Sequence, residues 1–184
     1  MRKAWVKALV LDRINNTPVV ILGIEGTNKV VPIWIGACEA YALAMALEGM
    51  EFPRPLTHDL IFSVLESLDA KIERVIIHSV KDNTFYATIV IKDLTYIDVE
   101  EGEDEEAAFL EIDARPSDSL VLAVKKGIPI YVTNEIINEH SVELEIPTES
   151  EEKEFKKFVK NMDIDMFRRM LENRRKEDEG KKDE

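Results

Sequence analysis

Two short segments of this chain nearly repeat each other. Arg54-Pro55-Leu56-Thr57-His58-Asp59-Leu60 and Arg115-Pro116-Ser117-Asp118-Ser119-Leu120 both run from Arg-Pro through hydroxyl and acidic residues into an apolar stretch. Each sets a guanidinium and a carboxylate at a predicted helix start. A helix start offers unpaired N–H groups and a partial positive charge, which attract anions. Arginine adds a planar fork of donors matched to phosphate or carboxylate oxygens. If the protein handles phosphate, these two segments are where the site is expected.

The roles can be distributed by residue. Arg54 is held extended between Pro53 and Pro55, so its fork is preorganised. Arg54 and Arg115 would take phosphate oxygens, with the Thr57 and Ser117 hydroxyls beside them. His58, in the first turn of its helix, would move a proton. Asp59 in the same turn would orient water. Asp113, Asp118 and Glu39 are the candidate carboxylates for Mg²⁺ or Mn²⁺, ions that take few protein oxygens and keep several waters; such an ion would activate water or neutralise developing charge. Each residue also has a plainer reading. Asp113, Arg115 and Asp118 can lock a strand-to-helix corner, Arg54 can clamp a carboxylate or carbonyl, His58 can be a half-exposed cap residue, and Asp59 can answer the helix dipole.

Other features narrow the field. There is no HExxH, cysteine–histidine or glycine-rich phosphate-loop motif and no sign of an organic cofactor. Cys38 is the single cysteine, which rules out an internal disulfide, and it reads as a small packing residue. Trp34 and Tyr86 can stack on bases, but inside strands they read first as packing residues. His78 has no motif partner, and His140 beside Glu139 reads as surface.

The elements that must position these groups follow from periodicity. Trp5 to Asp12, Val19 to Ile24 and Val30 to Ile35 read as an antiparallel meander, with turns at Asn15–Thr17 and Glu25–Asn28. Ala37 to Leu47 has helical spacing and is rich in alanine, with Gly49 as a stop. Thr57 reads as the N-cap of a second helix, with Leu60, Ile61, Val64, Leu65 and Leu68 as its buried stripe. Lys71 to Val80 and Thr84 to Lys92 form a hairpin around Asp82-Asn83, and Ala107 to Asp113 is a further strand. The next helix is the best marked, with Pro116 at its start, Lys125 and Lys126 in its last turn and Gly127 beyond. Ile130 to Val132 is a short strand, and Thr133-Asn134 caps a small helix. The expected fold is α+β, a mixed and largely antiparallel sheet packed with about three helices. It occupies residues 1–147, followed by a charged amphipathic helical tail over 148–184 that is disordered at its end.

Composition bounds the partners. The 184 residues carry a net charge of −13, with 33% charged and 45% hydrophobic residues. That suits one globular domain plus a tail and argues against a generic nucleic-acid coat protein. Seven acidic residues crowd between Asp98 and Glu106, most simply as a solvated loop. The lack of glutamine and the charge-rich surface hint at a thermophilic source. No membrane span or secretory signal is expected, and the single cysteine fits the cytoplasm.

The segments VPIWIGACEA (Val31 to Ala40), PRPLTHDL (Pro53 to Leu60), TFYATIVI (Thr84 to Ile91) and DARPSDSLVLAVKKGIPIYV (Asp113 to Val132) together resemble the bifunctional nuclease domain family, also known as domain of unknown function family 151. The resemblance covers roughly Lys3 to Glu145. It implies an α+β domain on a mixed sheet and, from plant members, nuclease action on both DNA and RNA. The expected function is thus broad-specificity phosphodiester hydrolysis, assisted by a divalent metal. The alternative is a non-catalytic anion- or protein-binding regulatory module that forms a homo-oligomer.

Overall fold

The computed structural model describes residues 1–12, 15–96 and 108–143. The chain divides into two units, Met1–Ile146 and Pro147–Glu184. The second unit lies outside the described residues, so the expected tail helix does too. Residues 97–107, which hold the acidic run, also lie outside them.

β1 (Arg2–Asp12), β2 (Thr17–Ile24) and β3 (Lys29–Trp34) form the expected meander. β2 is nearly continuous in β-branched and aliphatic residues, and seven of its eight residues are buried. Such a strand must have both faces covered. β4 (Ala70–Lys81) and β5 (Thr84–Asp93) pair as a hairpin. Asp82 and Asn83 both take positive φ, 47° and 56°, as a two-residue turn matched to strand twist requires.

β6 (Phe109–Ala114) leads into α3 (Pro116–Lys126) and then β7 (Ile130–Val132), which runs parallel to β4. This crossover carries α3 over β4 and β5. The other helices are α1 (Ala37–Leu47), α2 (Thr57–Ser67) and the short α4 (Asn134–His140), which Thr133 precedes as expected. β8 (Val142–Glu143) completes one eight-stranded sheet in the order β6-β5-β4-β7-β1-β2-β3-β8. Among the described strands only the β4–β7 pairing is parallel. The fold is therefore α+β with a mixed, mostly antiparallel sheet, as expected, and the described residues hold four helices.

Cross-strand register sorts the sheet into two faces. Leu9, Val20, Leu22, Val31, Ile33, Val75, Ile77, Ile130 and Val132 share the face that builds the core, with Leu43, Leu120, Leu122 and Ile136 from the helices. Behind β1–β3, Ala8, Val19, Ile21 and Val30 form a separate small cluster against which Val10 packs. α3 has the boundaries expected of it: Pro116 opens it and Gly127 closes it with φ 65°.

α2 departs from its expected burial. Phe62 is the buried residue, while Leu60, Val64 and Leu68 are 55%, 49% and 66% exposed, and Ile61 is exposed as well. The spacing correctly marks an apolar stripe, but nothing in the spacing says what covers it. Its cap also differs. Leu56 is the N-cap and Thr57 the first helical residue. The Leu56 N–H donates to Asp59 Oδ2 at 3.0 Å, so Asp59 supplies the acidic half of a capping box while leucine has no oxygen to return.

Candidate functional site: three helix starts meeting at Arg115

The first turns of α1, α2 and α3 each deliver a side chain to one cluster. Arg115 occupies the N-cap position of α3 and Asp118 lies in its first turn. Arg115 Nε donates to Asp118 Oδ2 at 2.7 Å, and Nη2 donates to Oδ1 at 3.0 Å. This is the planar, two-toothed pairing that a guanidinium favours. Arg115 Nη1 donates to Glu39 Oε1 of α1 at 2.8 Å. His58 of α2 places Nε2 3.8 Å from Asp118 Oδ1. That is too long for a hydrogen bond but close enough for an ion pair when the imidazole is protonated.

The cluster opens to solvent on the arginine side. The Arg115 side chain is 65% exposed and His58 18%. Hydrogen bonding to Asp118, then its charge, raises the Arg115 pKa further, against a small opposing effect of burial. Three of the N–H groups are committed to carboxylates, and the fork has five, so some donor capacity remains. Helix starts on three sides add positive partial charge.

Asp59 does not join this cluster. Lys125, in the last turn of α3, holds it at 2.9 Å. Adjacent residues of α2 thus reach positions two turns apart on α3, about 10 Å along its axis. Burial pushes the Asp59 carboxyl upward, but the Lys125 hydrogen bond, the Leu56 N–H and the charges of Lys125 and His58 outweigh it, and the group sits below the ordinary range.

The other candidates lie outside the cluster. Arg54 is exposed and makes no ion pair with a described residue. Thr57 is exposed at the first position of α2. Ser117 is 6% exposed, so its hydroxyl is not presented to an incoming strand. Asp113 is an exposed residue of β6, paired across the strands with Thr88. Among the described residues, no three His, Cys, Asp or Glu side chains are grouped to hold a metal ion. Asp113 therefore does not complete a ligand set with Glu39 and Asp118, and both of those carboxylates are already spent on Arg115. A divalent ion does not fit this donor set as it stands; it would need oxygens from elsewhere.

Two further readings change. Cys38 is free and exposed rather than packed. Trp34 is half exposed, with its Nε1–H on Asp12 Oδ2 at 3.2 Å. Two residues that sequence reasoning passed over also matter. Lys125 read only as a cation at a helix end, yet it fixes Asp59. Gly36 read only as a change of period, yet its missing side chain leaves room for Glu39: a β-carbon there would collide with the Glu39 carboxylate. A glycine three residues before an acid at a helix start was the available signal.

The profile of the bifunctional nuclease domain matches residues 20–145. An uncharacterized protein of Mycobacterium tuberculosis is 32% identical over 173 residues, covering 94% of each chain. Bifunctional nuclease 1 of Oryza sativa subsp. japonica and the bifunctional nuclease of Oryza minuta are each 23% identical over 127 residues, covering 69% of this chain and 36% of the plant proteins. No described helix is long and apolar enough to cross a membrane. With its matched span taking in β3, the four described helices and the whole Glu39–Arg115–Asp118–His58 cluster, this chain belongs to the bifunctional nuclease domain family.

Proposed function

We propose that the protein is a nuclease that hydrolyses phosphodiester bonds of DNA and RNA, with His58, Asp118 and Arg115 at its centre. The observation that carries this reading is the shared carboxylate. Asp118 pairs with Arg115 through both oxygens and lies 3.8 Å from His58 Nε2. An imidazole beside a carboxylate can accept a proton from water and have its positive charge stabilised. The same carboxylate keeps the guanidinium in place for a non-bridging phosphate oxygen, whose charge grows as water adds to phosphorus. Arg54, unpaired among described residues, is free to take a neighbouring phosphate. In this scheme water loses its proton to His58 and its oxygen bonds to phosphorus. The bridging sugar oxygen leaves and takes a proton from solvent, and His58 then gives its proton back to solvent. Water as nucleophile needs no 2′-hydroxyl, which suits action on both DNA and RNA.

The test is cleavage of labelled single- and double-stranded oligonucleotides by the full chain, with and without chelator and added Mg²⁺ or Mn²⁺. His58→Ala and Arg115→Gln are purified in parallel. Loss of cleavage in both variants supports the assignment. Full cleavage by both would place any hydrolysis elsewhere.

A second reading rests on α2. Its exposed stripe of Leu60, Ile61, Val64 and Leu68 fits a protein that acts by assembly, with a second copy covering that face, and the arginines then serve as anion-binding or corner-tying groups. Substrate binding without turnover, together with an oligomer that Val64→Lys dissociates, would favour it.

A further inference from the structure

We propose that the sheet face turned away from the helices carries a second nucleic-acid contact, centred on Arg74, Lys92 and Phe109, whose ligand is a single strand. Arg74 pairs across β4–β5 with Val90, and Lys92 pairs across β5–β6 with Phe109. These residues alternate with Val75, Ile89 and Ile91, so they share the face opposite the main core. The Arg74 guanidinium carbon lies 5.5 Å from the centroid of the Phe109 ring, and Lys92 Nζ lies 5.7 Å from it. One aromatic ring thus holds two cations.

Neither cation forms an ion pair with a described residue, in a chain with 37 acidic and 24 basic side chains. Arg74 Nε is buried without a hydrogen-bond partner. A buried donor left unsatisfied is costly and usually marks a missing partner. The buried Nε is out of reach of a ligand from solvent, but an anion meeting the outer guanidinium nitrogens and Lys92 Nζ supplies the counter-charge both side chains lack.

The same face favours a strand with bases over a simple anion. By register Tyr131 and Lys3 are neighbours on it, and the half-exposed Trp5 ring lies over Gly23 two residues further along β1. Phe109 on β6 and Trp5 on β1 are separated by four strand spacings, about 20 Å. Cations between aromatic rings over such a distance match alternating phosphates and unstacked bases. Glu111 and Asp113 also occupy this face; at the β6 edge they would repel a backbone and keep it on the inner strands. Binding here needs no hydrolysis, although the choice of nucleic acid as the ligand leans on the nuclease reading.

The experiment measures binding of a dye-labelled single-stranded oligonucleotide and its duplex to the full chain carrying His58→Ala, so that turnover does not consume the probe. The double change Arg74→Gln with Lys92→Gln is expected to weaken single-strand binding roughly 10-fold at low salt. It should also flatten the salt dependence by about the share of two phosphate contacts. Phe109→Leu is expected to weaken single strands more than duplex. Oligonucleotide should also protect Lys92 from acetylation in the otherwise unaltered chain, a readout independent of how the variants fold. Unchanged affinity and salt slope in folded variants would overturn the proposal. So would absence of Lys92 protection, or binding of an acidic peptide in place of the oligonucleotide. Each titration is scored only on oligonucleotide shown to be intact by gel afterwards, so these outcomes stand whether or not His58 catalyses cleavage.

Discussion

The carboxylate of Glu39 crowds the place a β-carbon of residue 36 would take, and with glycine there Glu39 folds back and reaches Arg115. Gly36 is extended, with φ −71° and ψ 161°, a conformation open to any residue. It is therefore the space beside Gly36, and not its backbone freedom, that the cluster uses.

Gly36→Ala should accordingly act through Glu39. We expect a loss of about 1 kcal/mol, the sum of a poorer N-cap and a displaced, solvent-screened ion pair. The loss should be smaller in a Glu39→Ala background, where no carboxylate stands in the way. Denaturant unfolding of the four proteins in the cycle measures the coupling. An equal loss in both backgrounds would separate Gly36 from the cluster.

How far this site was legible in the sequence depends on the range of each contact. Arg115 and Asp118 are three residues apart at a helix start, so their pairing follows from local geometry. Glu39 and Arg115 are 76 residues apart, and no local pattern joins them. Asp113 and Arg115 are two residues apart, a spacing that would put both on one side of a continuous strand. The chain turns into α3 between them, and the parity argument ends at that corner. Strand and helix positions in β1–β5 and α3 were readable because turn residues and caps bracket them. The outward face of α2 was not readable, since an apolar stripe looks the same in sequence whether a core or solvent lies against it.

Truncations along α2 should separate its two faces. Phe62→Ala, which empties a buried site beneath Lys126, should cost about 3 kcal/mol. Leu60→Ala and Leu68→Ala in dilute protein should stay within roughly 0.5 kcal/mol. Equilibrium unfolding decides this, and comparable losses at all three positions would mean the stripe is covered.

If a second copy covers that stripe at higher concentration, Val64→Lys should lower the particle mass without changing the unfolding midpoint of the dilute protein. Sedimentation over a concentration series gives the answer. A single mass shared by wild type and variant would remove α2 from any assembly surface.

Acid stability should report Asp59. Its pKa in the folded chain is depressed, so the folded state binds this proton less readily than the unfolded state does. The resulting stabilisation is present above the ordinary aspartate value of about 3.9 and is lost as pH falls through the lower folded value. Asp59→Asn should therefore be less stable than wild type near neutrality, and the gap should narrow on acidification. Asp93, depressed through its hydrogen bonds with Thr95, gives the same sign and serves as a comparison. A gap that persists unchanged into acid would show that Asp59 acts only as a neutral cap.

The most direct measurement is the initial rate of oligonucleotide cleavage by wild type, His58→Ala and Asp118→Asn, prepared identically and confirmed folded. Proton transfer through His58, held beside the Asp118 carboxylate, should make both variants slower by roughly 100-fold or more. Rates within about two-fold of wild type in both variants would contradict a hydrolytic centre at the Arg115 cluster.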